Sequence, residues 1–421
     1  MLDIKFIREN KELVNLAATK KKIKFDVNEL VSIDDKRLEL LKVVEEKRAQ
    51  QNAASLEIQK VSPELRNIMI EAMKKVKDDL KIEEEKLGEV MRDWQKLMLR
   101  VPNIPDMSVP DGESDADNVE VKKWGEIVGF DFTPKDHIEL MEKNDMVDFE
   151  RGTKTSGFRG YFLKNDGALL EMAVWQYAMQ KWTAKNFIPM LVPSLVTKEC
   201  LLGTGYLPGG EEDLYHDEEN NWFSGTGEVA TMYYHSGEVL DVKDFPKKFI
   251  AFSPCFRKEA GSHGKDVKGL VRVHEFYKLE QVVLCEASHQ ASVDLHEELL
   301  RNSEELMEEL GLAYHTVVNC GADLGQGQVK KYDIEAWMPS QNKYRETHSC
   351  SYFHDFQTRR LNIRYKDSEG KTKFAHSLNN TAAATPRLIT AIIENYQNAD
   401  GSITVPEVLV PFMGKTLIKK F

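Results

Sequence analysis

Apolar residues recur along the first hundred positions with helical spacing and few breakers. Residues 1–25 predict a short amphipathic helix that ends in the basic run Lys20, Lys21, Lys22 and Lys24. From about Asp34 the helical pattern runs to Ser62-Pro63, where serine can cap and proline can take the first position of a new helix. In that second helix Met69, Met73, Val76, Leu80, Leu87, Val90, Trp94, Leu97 and Val101 alternate spacings of four and three, with Glu83 as the polar interruption. This is a coiled-coil seam. The first helix is less regular: Leu38, Leu41 and Val44 fit, Arg48 and Gln51 interrupt, and Ala53, Ala54 and Ile58 resume loosely. Two long helices joined by a few residues pack antiparallel, so residues 34–100 predict a helical hairpin. At ~1.5 Å per residue, the 36 residues from Leu65 to Arg100 span roughly 54 Å, more than the radius of a compact domain. Such an arm either touches something distant or serves as a spacer or dimerisation coil. Its lysines (Lys60, Lys74, Lys75, Lys77, Lys81) are interleaved with acids and fit a plain solvated face.

Val101-Pro-Asn-Ile-Pro and Val109-Pro-Asp-Gly mark a linker, with a domain boundary near residues 101–115. Beyond it, helical and strand-like segments alternate. Gly167–Asn186 predicts a helix, followed by an extended stretch whose prolines, Pro189 and Pro193, place it at a sheet edge that a partner subunit could cover. Residues 203–212, rich in glycine, predict a mobile lid. Phe249–Phe256 and Val271–Val283 predict strands around a long loop, Ala260–Lys268. Arg257 and Glu259 are two apart and share a face if the strand continues; Arg272, Phe276 and Glu280 have even offsets on the returning strand. That face offers guanidinium for phosphate or carboxylate, carboxylate for ammonium or metal, and a ring for a base to stack on. Taken alone, Arg257 and Glu259 read more simply as an ion pair. Gly225-Thr226-Gly227-Glu228 makes a polar pocket wall if extended. Asp333–Trp337 and Tyr344–Ser349 are polar alternations able to face a metal-bound triphosphate, and Leu378-Asn379-Asn380-Thr381 leads into a helix that carries Arg387 in its first turns.

At 421 residues, with 30% charged and 41% hydrophobic, the chain reads as two or three soluble domains. No apolar run nears the ~20 residues that span a bilayer, and MLDIKFIREN is no signal peptide, so a cytoplasmic location without membrane contact is expected. Five scattered cysteines without C-x-x-C, and histidines without H-E-x-x-H, predict no disulfide framework and no zinc. The net charge of −12 divides into +2 over residues 1–100 and −14 over the rest, so local patches rather than the total decide whether nucleic acid binds.

In this order the segments resemble a class II aminoacyl-tRNA synthetase of the seryl-tRNA synthetase family. The resemblance rests on the helical arm, Val101-Pro-Asn-Ile-Pro, Thr226-x-Glu228, Phe256-Arg257-Lys258-Glu259, Gly269-Leu-x-Arg272-x-His274-x-Phe276, Tyr332-Asp-x-Glu335-x-Trp337, Tyr344-Arg-Glu346, Phe356-Gln-x-Arg-Arg360, Leu378-Asn379 and Ile393-Glu-Asn-Tyr-Gln. It implies an α+β fold: a coiled-coil tRNA-binding arm over residues 1–105, then a catalytic and dimerisation domain over 106–421, built on a mostly antiparallel sheet flanked by helices. It implies that serine and ATP give seryl-adenylate, and that serine then passes to tRNA(Ser), with tRNA(Sec) as a second candidate and no DNA partner. By the same resemblance Arg257, Glu259 and Arg387 are catalytic. Thr226, Glu228, Arg257, Glu280, Asn379 and Thr381 bind serine. Arg257, Lys258, Glu259, Arg272, Val273, Phe276, Glu346, Thr347, Ser349 and Arg387 bind ATP, and Glu346 with Ser349 holds Mg²⁺. Lys60 and Arg66 are the expected tRNA contacts at the arm tip, and a homodimer is implied.

Three positions depart from the family pattern: Gly227 in place of alanine, Thr381 in place of serine, and Pro386 in place of a small residue before Arg387. Proline is tolerable there only in a helix's first turn or at a kink. Two rival readings are an adenylate-forming ligase that serves a carrier protein and a catalytically silent paralogue that acts through its coiled coil. Against the first stands the arm; against the second, the retention of Arg257, Glu259, Glu346 and Arg387.

Overall fold

The computed structural model describes residues 1–58, 62–261, 264 and 266–420. Two compact units are present: residues 2–19 with 23–102, and residue 1 with 20–22 and 103–421. In the first, the expected N-terminal helix is two helices, α1 (Ile4–Glu9) and α2 (Lys11–Lys20), parted where the Asn10 side chain bonds back to the Phe6 carbonyl. The hairpin is formed by α3 (Val27–Ile58) and α4 (Pro63–Arg100). The α4 seam is as read: Met69, Met73, Val76, Leu80, Leu87, Val90, Trp94 and Leu97 are half-buried or buried, while most of the other side chains of the helix are exposed. The α3 reading is corrected at Leu38, which is 44% exposed. Arg37 takes its place on the seam, with its guanidinium 4.9 Å over the Trp94 ring. α3 also starts seven residues earlier than expected, because buried Asp34 is neutralised by Arg8 and Arg37, both at 2.8 Å. Arg48, an apparent break in the seam, pairs across the hairpin with Glu84 at 2.7 Å.

The second unit is built on an eight-stranded sheet. Its strands are β1 (Val119–Trp124), β2 (Ile188–Leu191), β3 (Lys247–Phe256), β4 (Glu275–Cys285), β5 (Tyr314–Val318), β6 (Lys330–Met338), β7 (Lys343–His354) and β8 (His376–Ala384). They lie in the order β1-β5-β6-β7-β8-β4-β3-β2, antiparallel except for the edge pair β2 and β3. The proline-bearing stretch is that edge, with Ile188 52% and Leu191 81% exposed. α5 (Asp166–Ala184) and α8 (His289–Glu309) supply core residues, among them Trp182 and Leu299. α8 covers one sheet face, where Gln281 and Asn380 donate to the Leu299 carbonyl and His296 bonds the Cys350 carbonyl. This use of α8 leaves the other face of the central strands for chemistry. Among the described residues no helix is long and apolar enough to cross a membrane.

Candidate active site

Register assigns residues to that second face, since cross-strand partners point the same way. Ala251, Ser253 and Cys255 oppose Glu280, Lys278 and Phe276; Thr381 opposes Glu280; Asn379 opposes Ser351. On β6 and β7, Asp333 opposes Ser349 and Glu335 opposes Glu346. Three residues apart, Glu346 and Ser349 would face opposite ways on a regular strand. A register shift inserts Thr347 as an extra residue and returns both to one side. Thr347 itself is buried and its hydroxyl bonds the Ile334 carbonyl at 3.1 Å.

Arg257 follows β3, and its guanidinium donates to the Gly225 carbonyl at 3.3 and 3.4 Å while lying 5.4 Å over the Phe276 ring. A Cβ on Gly225 would come within 3.3 Å of the Arg257 side chain, so the missing side chain permits this approach. The shared-strand placement of Arg257 and Glu259 is corrected. β3 ends at Phe256 and Glu259 has φ +55°, which turns its side chain out of the strand's alternation. Glu259 pairs with Arg272, so the simpler Arg257–Glu259 ion pair is not the one formed. Arg272 and Val273 also precede the strand, which starts at Glu275, and Val273 is packed in the core. Lys258 places its ammonium 5.5 Å over the Tyr215 ring.

Thr226-Gly227-Glu228 is a turn entering α7 (Glu228–Tyr233), not an extended wall. The Glu228 backbone N–H bonds the Thr226 hydroxyl at 3.3 Å. Its carboxylate accepts from the Tyr206 hydroxyl at 2.9 Å and from the Gln357 amide at 2.6 Å. Burial raises the Glu228 carboxyl above its usual range, and these donors oppose the shift. Glu280, also raised by burial, pairs with Lys278. The expected lid is anchored: Gly203 and Thr204 end α6 (Lys198–Thr204), Leu207 is fully buried, and Tyr206 is committed to Glu228.

Arg387 lies in α10 (Thr385–Asn395), with Pro386 in the first turn, where no helical N–H bond is lost. Its guanidinium donates to the Val271 and Glu346 carbonyls at 3.1 and 2.9 Å and meets the Glu346 carboxylate at 3.2 Å. Although burial works against it, Glu346 is held below the usual carboxylate range by Arg387, Lys331 and Arg257. Burial and the Glu346 charge drive neighbouring Asp333 the other way. Glu346 and Ser349 therefore present an ionised carboxylate and a hydroxyl, hard donors that suit Mg²⁺ with phosphate oxygens completing the shell. Among the described residues no group of three or more His, Cys, Asp or Glu side chains could hold a metal unaided. Arg66 lies exposed on α4, and Lys60 is outside the described residues.

Sequence reasoning missed Tyr206, Gln357 and Lys278 as site neighbours. Lys278 was readable, being two before Glu280 on one strand. Tyr206 was hidden in a segment whose glycines suggested motion.

Comparison with known proteins places this geometry. Residues 1–105 match the seryl-tRNA synthetase N-terminal domain, and residues 214–396 match the class II tRNA synthetase core domain of the G, H, P, S and T enzymes. The chain is 45% identical to a serine–tRNA ligase of Deinococcus radiodurans, over 98% of each chain, and 42% identical to one of Thermodesulfovibrio yellowstonii, over 100% of each. It superposes with TM-score 0.90 and 36% identity on the ATP complex of seryl-tRNA synthetase from Pyrococcus horikoshii, covering 100% of both chains. The cytoplasmic serine-tRNA ligase of Naegleria fowleri bound to AMP gives 0.86 at 29% identity, with 100% of this chain and 99% of that one covered. The chain belongs to the seryl-tRNA synthetase family of class II aminoacyl-tRNA synthetases.

Proposed function

We propose that the chain is a serine–tRNA ligase that forms seryl-adenylate from serine and ATP and transfers serine to tRNA(Ser), with tRNA(Sec) a second acceptor. The observation that carries this reading is the position of Arg257, whose guanidinium donates to the Gly225 carbonyl beside the Thr226–Glu228 turn and lies 5.4 Å over the Phe276 ring. A guanidinium there can hold serine's carboxylate beside the α-phosphate. The carboxylate oxygen then attacks phosphorus, the bond to the β-phosphate oxygen breaks, and pyrophosphate leaves. Glu228 and Thr226 take the α-ammonium. Glu280 and Thr381 bond the hydroxyl beside Asn379, and a site built for a hydroxyl rejects alanine by roughly 10⁴–10⁵. Phe276 stacks on adenine. Arg387, Arg272, Lys258 and Glu259 serve the ATP side, and Val273 and Thr347 contribute through backbone only. Mg²⁺ on Glu346 and Ser349 would neutralise phosphate charge. In the second step a 3′-terminal ribose hydroxyl attacks the seryl carbonyl and AMP leaves.

The superposition with an ATP-bound relative supports ATP as the substrate. The match of residues 1–105 to the family's N-terminal domain supports a division into an arm, residues 1–105, whose hairpin recognises tRNA by shape, and a catalytic domain, 106–421. The exposed apolar edge at Ile188 and Leu191 supports a homodimer, and the cytoplasm, where tRNA is charged, is the fitting location. Arg257→Ala tests the site: serine-dependent pyrophosphate exchange should fall by about 10²–10³ with an unchanged circular dichroism spectrum. Unchanged exchange would sink the assignment.

A further inference from the structure

Glu228 is 2% exposed, yet the groups that bond its carboxylate are neutral: the Tyr206 phenol and the Gln357 amide. A carboxylate offers about four acceptor positions. Two are taken, one on each oxygen, by donors from separate segments, which leaves one position on each oxygen open to a cation. Gln357, on α9 (Phe356–Leu361), is fixed in turn: its amide also donates to the Thr204 carbonyl at 3.1 Å, and its oxygen accepts from Ser377 at 2.7 Å. Tyr206 is fixed because Gly205, at φ +92°, ends α6 in a left-handed turn that sends the Tyr206 and Leu207 N–H groups back to the Leu201 carbonyl. α6 and α9 are tied to each other by Arg360, which donates to the Leu202 carbonyl at 3.0 Å.

We propose that Tyr206 and Gln357 are positioning residues for the ammonium subsite, aiming the remaining acceptor positions of Glu228 at the α-amino group of a bound amino acid. The proposal rests on the function proposed above. The ammonium is bound equally before and during adenylate formation, so loss of a donor weakens substrate binding more than it slows the chemistry. The titratable groups facing Glu228 are Tyr206 from the end of α6, and Lys278 and Glu280 from β4. With the phenol gone, the buried carboxylate gains a proton more readily.

Tyr206→Phe in the full-length protein is the test. The serine KM in pyrophosphate exchange should rise about tenfold to a hundredfold, with kcat and the ATP KM nearly unchanged. The acid limb of kcat/KM for serine should move to higher pH. Unaltered serine KM and acid limb would overturn the proposal; so would a joint loss of kcat and both KM values with a lowered melting temperature, the mark of a merely structural tyrosine. If Tyr206→Phe does not fold, Gln357→Met takes its place with the same readouts. Absence of serine-dependent exchange in the parent protein would remove the function and, with it, this assignment.

Discussion

Thr381 opposes Glu280 in the sheet, and both are buried. Replacing Thr381 with valine keeps the volume and removes the hydroxyl, so exchange kcat/KM for serine should fall about ten- to a hundredfold while the trace rate with alanine stays level. Equal losses for both amino acids would show that Thr381 only packs. Gly227 lends itself to the opposite expectation. An added Cβ meets the Ser253 hydroxyl at 3.2 Å and Ala251 Cβ at 3.5 Å on an ordinary backbone, so Gly227→Ala should shift stability by less than about 1 kcal/mol, as read by chemical denaturation. A larger loss would mean that Ser253 cannot yield. At this scale the sequence was legible wherever alternation held, as for Phe276 and Glu280. It misled at Glu259, because a positive φ in a non-glycine residue leaves no mark in the pattern.

Helices α5 and α10 share a buried hydrogen bond: the Thr385 hydroxyl bonds the Glu171 carboxyl, two residues before Arg387. Burial lifts Glu171 to about 7, against the weaker opposing pull of Thr385. The folded protein therefore holds this proton more tightly than the unfolded chain. Stability from it is full below the ordinary glutamate value and is lost as pH rises through about 7, by on the order of 3 kcal/mol in all. Denaturant titrations of the parent should show stability falling between pH 4.5 and 7.5, and Glu171→Gln should flatten that fall. Identical slopes would remove Glu171 as the cause. Elements were legible where one periodicity governed them, as in α4. They were not where a local event reset the phase: the bulge at Thr347, or Arg37 entering the α3 seam over Trp94 in place of Leu38.

The arm and the sheet-based unit are separate in their cores, so their roles should separate too. Loosening the hairpin by Val44→Ala, at a side chain 1% exposed, should impair tRNA charging while leaving pyrophosphate exchange intact. A parallel loss of exchange would mean that the arm supports the site itself. Segment order made this division readable, whereas the pairing of Tyr206 and Gln357 around Glu228 depends on residues 151 positions apart and required the fold. The most direct measurement is ATP–pyrophosphate exchange with Mg²⁺ for serine beside alanine, threonine, glycine and cysteine, followed by transfer to tRNA(Ser) with and without its variable arm. Exchange with serine alone, and charging that fails on the shortened tRNA, is the predicted result. Exchange without charging would point to a carrier ligase, and no exchange from folded protein to a silent paralogue; either would contradict the account.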